Sequence, residues 1–300
     1  MTVPARPAPL FADIDDVANK LAETGYLPDT ATATAVFLAD QLGKPLLVEG
    51  PAGVGKTELA RAVAQATGSG LVRLQCYEGV DEARALYEWN HAKQILRIQA
   101  GSAGLAGSAG GGDWDATRDD VFSEEFLLSR PLLTAIRRTE PTVLLIDETD
   151  KADIEIEGLL LEVLSDFAVT VPELGTITAE RAPFVLLTSN ATRELSEALK
   201  RRCLFLHIDF PDADLERRIL LSRVPELPEH LAAELVRIIG VLRGMQLKKS
   251  PSVAETIDWG RTVLALGMDT IDDATIAATL GVVLKHQSDQ IKASGELRLN

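Results

Sequence analysis

The chain has 300 residues, of which 46% are hydrophobic and 25% charged, and this balance excludes a mini-protein and a globally disordered chain. Its 30 Lys and Arg residues against 45 Asp and Glu residues give a formal net charge of −15. An acidic protein repels nucleic-acid phosphates and anionic membrane surfaces, so we expect neither nucleic acid nor membrane among its partners.

The cysteines and the apolar runs indicate a cellular compartment. Cys76 and Cys203 make no disulfide framework and show no zinc-ligand spacing. No segment resembles the apolar core of a signal peptide, and no apolar run approaches the roughly 18 residues that span a bilayer. We therefore expect a cytoplasmic protein.

Five short apolar runs predict β-strands, and helical patterns lie between them. Because the runs lack polar alternation, we expect strands covered on both faces, as in a parallel sheet. The alternation of strand and helix predicts an α/β fold built on a five-stranded parallel sheet. The predicted strands are residues 45–48, 71–76, 142–146, 184–188 and 203–208.

Three other segments have distinct patterns. In residues 168–182, β-branched residues lie on both sides of a turn that contains Pro and Gly. This pattern predicts a short hairpin. The glycine-rich tract 101–112 predicts a flexible loop, because it cannot bury apolar area to offset its backbone entropy. After residue 211 the apolar positions follow helical spacing, so the C-terminal segment predicts a small helical domain.

The most specific motif follows the first predicted strand, precedes a helical pattern and satisfies GxxxxGK[ST]. Its glycines let backbone N–H groups converge on a phosphate, Lys56 neutralises β and γ charge, and the Thr57 hydroxyl reaches Mg²⁺. The alternative is a glycine-rich turn that contains Lys-Thr by chance. The predicted phosphate-binding residues are Gly50, Pro51, Ala52, Gly53, Val54, Gly55, Lys56 and Thr57.

Two carboxylates, Asp147 and Glu148, end the third predicted strand. Beside a phosphate loop, Asp147 is placed to hold Mg²⁺ with Thr57, and Glu148 is placed to accept a proton from an attacking water. Read alone, the pair could equally be two solvated acids at a strand end. Combined with the phosphate loop, the pair indicates nucleotide hydrolysis.

Four more residues are candidates for the same site. Asn190 follows the fourth strand and could orient the water, although it could also cap the following turn. Arg201 and Arg202 belong to a basic cluster, which is usually a solvated surface; the alternative is that one of them completes a neighbouring subunit's site. Tyr26, before the first strand, contacts adenine or packs at the edge of the core.

The order of these blocks resembles the MoxR family of AAA+ ATPases over nearly the whole chain. The similarity is carried by GPAGVGKTELARAVA, VLLIDETDKADIEIEGLLLEVLSD, VTVPELGTI, TSNATRELSEALKRRCLF and the DFP that follows. YEGVDEARALYEWN and FLLSRPLL resemble the subgroup encoded beside carbon-monoxide-dehydrogenase-type molybdenum enzymes. The resemblance implies an αβα nucleotide-binding domain of residues 1–211 and a helical lid domain of residues 212–300.

The resemblance also implies assembly and residue roles. It implies a homo-oligomeric ring, usually a hexamer, that binds ATP and Mg²⁺ between subunits. Arg202 matches the family's arginine-finger position, with Arg201 beside it. Residues 77–125 match an insert in the second helix, and residues 168–182 match a hairpin before Asn190. The stretch 250–252 reads Ser-Pro-Ser where the family has Ser-Pro-Arg, so no lid residue is assigned as the second sensor.

Together these patterns predict Mg²⁺-dependent ATP hydrolysis coupled to remodelling of a protein partner. The resemblance implies a MoxR-type chaperone for metalloenzyme maturation or activation, with a partner that carries a von Willebrand factor A domain. The alternative is a nucleotide-dependent regulatory switch with little turnover. A small-molecule kinase is disfavoured, because the sequence shows no acceptor pocket and no lid arginine set.

Overall fold

The computed structural model describes residues 8–104 and 120–297. The principal helices are Ile14–Glu23 (α1), Thr30–Leu42 (α2), Lys56–Ala66 (α3), Glu82–Ala85 (α4), His91–Gly104 (α5), Pro131–Arg137 (α6), Ile154–Asp166 (α7), Glu197–Lys200 (α8), Ala213–Arg223 (α9), Glu229–Gly244 (α10), Val253–Ala265 (α11), Asp273–Val283 (α12) and Gln287–Glu296 (α13). Short 3-10 helices span Glu124–Phe126 and Thr149–Lys151. The strands are Leu46–Glu49 (β1), Gly70–Gln75 (β2), Tyr87–Trp89 (β3), Leu127–Ser129 (β4), Thr142–Asp147 (β5), Ala168–Val171 (β6), Gly175–Thr178 (β7), Phe184–Ser189 (β8) and Leu204–His207 (β9).

Five strands of the described chain form one sheet in the order β2-β5-β8-β1-β9. Strands β2 and β8 both run parallel to β5, and Gln75 lies opposite Asp147 at the end of the β2 ladder. This sheet confirms the α/β fold predicted from the sequence. Strands β5 and β8 are buried along their whole length. The prediction that both faces of every strand are covered is wrong for the two edge strands. There Leu71 of β2 is 39% exposed and Phe205 of β9 is 58% exposed.

The described residues divide into two compact units. The first unit consists of residues 8–10, 38–47, 67–104 and 120–205, and the second of residues 11–37, 48–66 and 206–297. The predicted boundary between a nucleotide-binding domain and a lid domain at residue 211 stays a prediction.

Helices pack against the sheet to form the core of the first unit. Leu144 and Ile146 of β5 are fully buried and belong to the same apolar cluster as Leu160 and Val163 of α7. The two strand residues share one face because they are two positions apart, and the two helix residues share one face because they are three positions apart. The core therefore forms between a strand face, whose residues repeat every two positions, and a helix face, whose residues repeat about every 3.6 positions.

The predicted hairpin is confirmed, because β6 and β7 pair antiparallel with Ala168 opposite Thr178. Val169 and Val171 of β6 are buried in the core, whereas Thr170, between them, is exposed. One face of the hairpin therefore covers the first unit's core, and the other face carries small polar side chains.

The region 77–125 differs from its prediction in two ways. Strand β3 pairs antiparallel with β4, a small sheet that the sequence does not predict because three-residue strands give no readable period. The prediction of a loop for the glycine-rich tract is wrong for residues 101–104, because they form the last turn of helix α5. Residues 105–112 of that tract lie outside the described residues.

The second unit has a helical core, as the periodicity after residue 211 predicts. Trp259 is fully buried, and its indole N–H donates a 2.8 Å hydrogen bond to Thr279 Oγ1. No helix in the described part of the chain is long and apolar enough to span a membrane. The buried face of α10 contains Leu231, Leu235, Ile238, Ile239 and Leu242, which follow the helical spacing of that segment.

A buried ion pair connects the helices of the second unit. Glu216 on α9 accepts hydrogen bonds of 2.6 and 2.8 Å from Arg243 on α10, and one of 2.7 Å from Thr256 on α11. Arg243 also donates to the Pro251 carbonyl at 2.8 Å and lies 4.3 Å from the ring centre of Phe210. Removing either charge would leave the other buried without compensation, so this pair holds the three helices together.

Candidate functional site

The predicted phosphate-binding motif forms the turn before α3 in the second unit. Two of its glycines are required by close contacts. A Cβ on Gly50 would lie 1.9 Å from the carbonyl oxygen of Ile208. A Cβ on Gly53, whose φ is +77°, would lie 2.4 Å from both Cβ and Oγ of Ser252. Because no side chain fits at either position, both glycines are required for the backbone path of the motif.

Lys56 begins α3 and is only 6% exposed. Its ammonium donates hydrogen bonds of 2.6 Å to the carbonyl oxygens of both Gly50 and Pro51, which hold it against the loop. Thr57 follows in the first turn of the helix and is partly exposed. A triphosphate fits this loop, because its oxygens would bring negative charge to an ammonium and to a helix N-terminus.

Ser252 stands where the resemblance expects an arginine, and it lies directly against Gly53. It is the N-cap of α11 and forms a capping box with Glu255, whose carboxylate also accepts a 3.1 Å hydrogen bond from Lys249. Burial alone raises the pKa of Glu255, but the bonds from Ser252 and Lys249 outweigh it and hold this pKa below its usual range. The start of α11 is thus a charged, well-bonded cap beside the phosphate loop.

Tyr26 packs beside the same loop. Its ring Cε2 lies 3.6 Å from the position that a Cβ on Gly55 would take. Burial raises the pKa of the Tyr26 hydroxyl above its usual range, and the charges of Asp29 and Glu58 act in the same direction. The packing alternative for Tyr26 is observed, and contact with adenine stays a prediction.

Asp147 is the last residue of β5 and is almost fully buried in the first unit. Its Oδ1 accepts a 2.6 Å hydrogen bond from Thr188, and its Oδ2 accepts two from Arg73 at 3.1 and 2.5 Å. No cluster of three or more His, Cys, Asp or Glu side chains that could hold a metal occurs in the described chain. Asp147 nevertheless fits Mg²⁺, which usually takes one or two carboxylates and completes its shell with waters and substrate phosphates.

Glu148 follows Asp147 in the left-handed backbone region, with φ 57° and ψ 47°. Its backbone N–H donates to Thr188 Oγ1 at 2.8 Å. Its Oε2 accepts hydrogen bonds from Gln75 at 3.0 Å and from Lys151 at 2.7 Å. The side chain stays 33% exposed, so the carboxylate is oriented by two donors and can still meet water, as a general base must.

Asn190 lies at the same end of the sheet as the acid pair, because β8 is parallel to β5 and Ile146 is opposite Leu187. The buried carboxylate of Asp150 accepts the backbone N–H of Asn190 at 3.1 Å and bonds both the N–H and the hydroxyl of Thr192. Burial alone raises the pKa of Asp150, but the hydrogen bonds from Thr192 and Asn190 outweigh it and keep this pKa below its usual value.

A second buried carboxylate holds the far end of the loop after β8. Glu157 on α7 accepts a 2.5 Å hydrogen bond from Arg193 and a 2.9 Å hydrogen bond from the backbone N–H of Ser196. Arg193 also donates to the carbonyl of Ala152 at 2.7 Å. The loop after β8 is therefore fixed at both ends to the segment that follows the acid pair.

Arg201 and Arg202 lie on an exposed turn after α8 in the first unit. The Arg202 guanidinium donates to Ser165 Oγ at 2.6 Å and to the carbonyl of Ala198 at 3.0 Å. Among the residues that the structure describes, neither arginine contacts the acid pair or Asn190. This placement agrees with a solvated cluster and with a residue that acts on another subunit.

The side chains that hold the acids in place are not among the residues predicted from the sequence. Arg73 and Gln75 alternate with apolar residues along β2, and this alternation was the available signal for a polar face beside Asp147. Asp150 and Thr188 gave no local signal, because their contacts join distant parts of the chain, whereas Lys151 lies only three positions after Glu148. The missed residues are Arg73, Gln75, Asp150, Lys151 and Thr188.

A phosphate loop after one strand of a parallel sheet and an acid pair after another define the class of P-loop nucleotide hydrolases. The model of the family described as AAA domain (dynein-related subfamily) matches residues 45–203, which is more than half of the chain. The chain belongs to this AAA domain family.

Named relatives resemble parts of the chain. Chaperone protein ClpB of Chlamydia pneumoniae is 28% identical over 233 residues, which are 75% of this chain and 22% of that protein. Chaperone protein ClpB 2 of Thermosynechococcus vestitus is 34% identical over 151 residues, which are 49% of this chain and 14% of that protein. The chain thus spans less than a quarter of the length of either relative.

A solved structure also aligns with the chain. A mutant of Thermotoga maritima RuvB has 16% sequence identity and a TM-score of 0.47, and the alignment covers 98% of this chain and 74% of that one.

Proposed function

We propose that the protein is an ATPase and hydrolyses Mg²⁺-bound ATP through the residues predicted from its sequence. The loop amides and Lys56 bind the β- and γ-phosphates, while Thr57 and Asp147 hold the ion. Bound Mg²⁺ supplies neutralisation of charge on the phosphate oxygens. The supporting contacts are those of the buried Lys56 ammonium, which the carbonyls of Gly50 and Pro51 hold at the N-terminus of α3.

In this proposal Glu148 accepts a proton from the attacking water, and Asn190 orients that water. The observation that carries the assignment is the Thr188 hydroxyl, which bonds the Asp147 carboxylate and the Glu148 backbone N–H at once. One buried side chain thereby fixes the two acids relative to each other. Gln75 and Lys151 then set the direction of the Glu148 carboxylate.

The active form in this proposal is a homo-oligomeric ring, a hexamer, in which Arg202 completes the site of a neighbouring subunit. Support comes from the family resemblance and from the exposure of Arg202, whose guanidinium Ser165 and Ala198 hold in place. Arg201, also exposed, is the second candidate. Because each site then needs two chains, an isolated subunit is a poor ATPase.

The client in this proposal is a protein. Relatives named Chaperone protein ClpB support remodelling of a protein, although the chain spans only a small part of their length. The MoxR resemblance supports a partner with a von Willebrand factor A domain and a metalloenzyme client of the carbon-monoxide-dehydrogenase type. In the alternative, a regulatory switch, nucleotide binding changes the conformation and turnover is low.

Phosphate release by the full chain separates catalysis from a low-turnover switch. We expect release that stops in Glu148→Gln and persists in Glu140→Gln, a matched change of an exposed acid before β5. Release at the wild-type rate from Glu148→Gln would contradict the assigned base. Negligible release from the wild type, with and without a co-purified partner, would favour the switch.

Two further measurements test the proposed ring and the proposed protein client. Light scattering of Glu148→Gln with ATP should give the mass of six chains, and a monomer in every nucleotide state would contradict the ring. The same variant, purified from its native cell with ATP, should retain the von Willebrand factor A partner and a metalloenzyme. Retention of neither would contradict the proposed client.

A further inference from the structure

A cavity of about 530 Å³ lies in the first unit, at the amino-terminal ends of three sheet strands. Pro45 precedes β1, Thr142 begins β5 and Phe184 begins β8, and all three line it. The acid pair is at the carboxyl end of β5, about 17 Å away at 3.3 Å per residue. The cavity is therefore separate from the candidate hydrolysis site.

The walls of the cavity are mostly apolar. Phe167 and Ala168 contribute from the start of the hairpin, and Leu42 contributes from the end of α2. The exposed face of the hairpin adds threonine side chains, among them Thr170 and Thr178. A concave, largely apolar volume of this size with a few polar groups is typical of a site for a small organic molecule.

The charged side chains around the cavity decide which molecule fits. Arg181 is partly buried and, within residues 8–104 and 120–297, has no hydrogen-bond or ion-pair partner. Lys44 lines the same cavity and likewise has no acidic partner in the described chain. Of the lining acids, Asp40 already accepts the Leu10 backbone N–H at 2.8 Å.

The two remaining acids, Glu162 and Asp166, are exposed at the end of α7, where water screens their charge. A partly buried guanidinium gains more from an opposite charge than solvated carboxylates do, because the local dielectric is lower. Its planar donors also match the two oxygens of a carboxylate. The cavity therefore favours an anionic head beside Arg181 and an apolar body against Phe167.

We propose that this cavity binds an amphipathic organic carboxylate, with its head on Arg181 and its apolar body between the hairpin and α2. The site does not depend on the nucleotide or on the proposed client.

The test measures binding of three probes with the same apolar body to the full chain by isothermal titration calorimetry. The probes are 4-phenylbutyrate, 4-phenylbutanol and 4-phenylbutylamine, so only the head changes. We expect the acid to bind at least about 10-fold more tightly than the alcohol or the amine, as a charge-assisted hydrogen bond implies. Equal affinities, tighter binding of the amine, or no binding of the acid would overturn the proposal.

Substitutions of residues that line the cavity test whether the probes bind there. Arg181→Gln should remove the preference for the acid, whereas Arg218→Gln, an exposed arginine on α9 outside the cavity, should keep it. Thr178→Trp should weaken the binding of all three probes, because a tryptophan at this exposed strand position would fill the cavity. Unchanged preference in Arg181→Gln, or unchanged affinities in a folded Thr178→Trp protein, would place the binding elsewhere and overturn the proposal.

Discussion

The Thr188 hydroxyl donates a 2.6 Å hydrogen bond to Asp147 Oδ1 and accepts the backbone N–H of Glu148 at 2.8 Å. A hydroxyl has one donor and two acceptor sites, so a single buried threonine can serve both neighbours. Thr188 is only 1% exposed and lies on β8, next to the strand that carries the acids. The position of the Asp147 carboxylate relative to the Glu148 backbone therefore depends on a residue outside the acid pair and the phosphate loop.

Thr188→Val should separate packing from hydrogen bonding, because valine has nearly the same shape and no hydroxyl. The variant leaves two buried polar groups without this partner, so we expect a loss of about 1–3 kcal/mol in the free energy of unfolding. We also expect kcat for ATP to fall by about 10- to 100-fold, because Glu148 loses its alignment. Urea denaturation and phosphate-release kinetics measure the two effects.

Thr188→Ser is the matched control, because it keeps the hydroxyl and loses only a methyl group. It should retain most of the activity and cost less stability than the valine variant. Equal activity of the valine variant and the wild type would show that the hydroxyl does not align the acids.

Binding and hydrolysis should respond differently to two substitutions. Lys56→Ala removes the buried ammonium at the phosphate loop, so we expect at least about a 100-fold loss in affinity for a fluorescent ATP analogue. Glu148→Gln keeps the loop and removes the base, so ATP should bind and remain intact. Lys292→Ala, a partly exposed lysine on α13, serves as the control. Tight binding by Lys56→Ala would contradict the assigned cradle.

The contact between the phosphate loop and the start of α11 can be tested by crowding it. Gly53→Ala places a Cβ where Ser252 already lies and adds strain at a φ of +77°, so we expect weaker ATP binding. Adding Ser252→Gly removes the clash but not the strain, so affinity should recover in part. Ser252→Gly alone should change little, since glycine is an acceptable N-cap. Wild-type affinity of Gly53→Ala would refute this contact.

The sequence predicts the sheet, the hairpin and the candidate catalytic residues because each has a local signature. The phosphate loop is a contiguous motif between a strand and a helix, and Glu148 directly follows an apolar strand. Contacts between residues that are far apart along the chain have no such local signature. Gln75 reaches Glu148 across 73 positions, and only the parallel register that sets Gln75 opposite Asp147 brings them together.

The same limit explains the errors in the fold. Edge and central strands of a parallel sheet read alike, because both are short apolar runs, and strand order decides which face is covered. Leu71 and Phe205 are exposed for that reason. The missed pairing of Tyr87–Trp89 with Leu127–Ser129 joins three-residue strands that lie far apart along the chain. Neither strand has enough residues for its alternation to be recognised.

The loop that carries Asn190 should weaken in acid because Asp150 holds it as a carboxylate. The pKa of Asp150 is below its usual value, so the ionised form is the one that stabilises the fold. This stabilisation is fully present above the unfolded-state pKa of about 3.9 and is lost as pH falls through the lower folded-state pKa.

Asp150→Asn should therefore cost about 1–3 kcal/mol of unfolding free energy at pH 7, because an NH2 group replaces one of the two acceptor oxygens and faces the donors of either Asn190 or Thr192. The difference from the wild type should shrink as pH falls below about 4, where the carboxyl of the unfolded wild type takes up a proton, and it should disappear at the lower pH where the folded carboxyl does the same. Urea denaturation from about pH 3 to about pH 7 measures it. A difference that stays constant over this range would show that the charge of Asp150 does not stabilise the loop.

Arg202 is the residue on which the proposed ring depends, and mixing experiments can test whether it acts on a neighbour. Arg202→Ala should bind ATP normally and hydrolyse it at least about 1,000-fold more slowly, the scale of an arginine finger. Mixing it with inactive Lys56→Ala should restore part of the activity, because some interfaces then pair an intact loop with an intact Arg202. Arg201→Ala and Ser165→Ala test the neighbouring finger candidate and the hydroxyl that holds the Arg202 guanidinium. If mixing restores nothing while mixed assemblies form, Arg202 does not act between subunits, and its contacts with Ser165 and Ala198 are then its role within one chain.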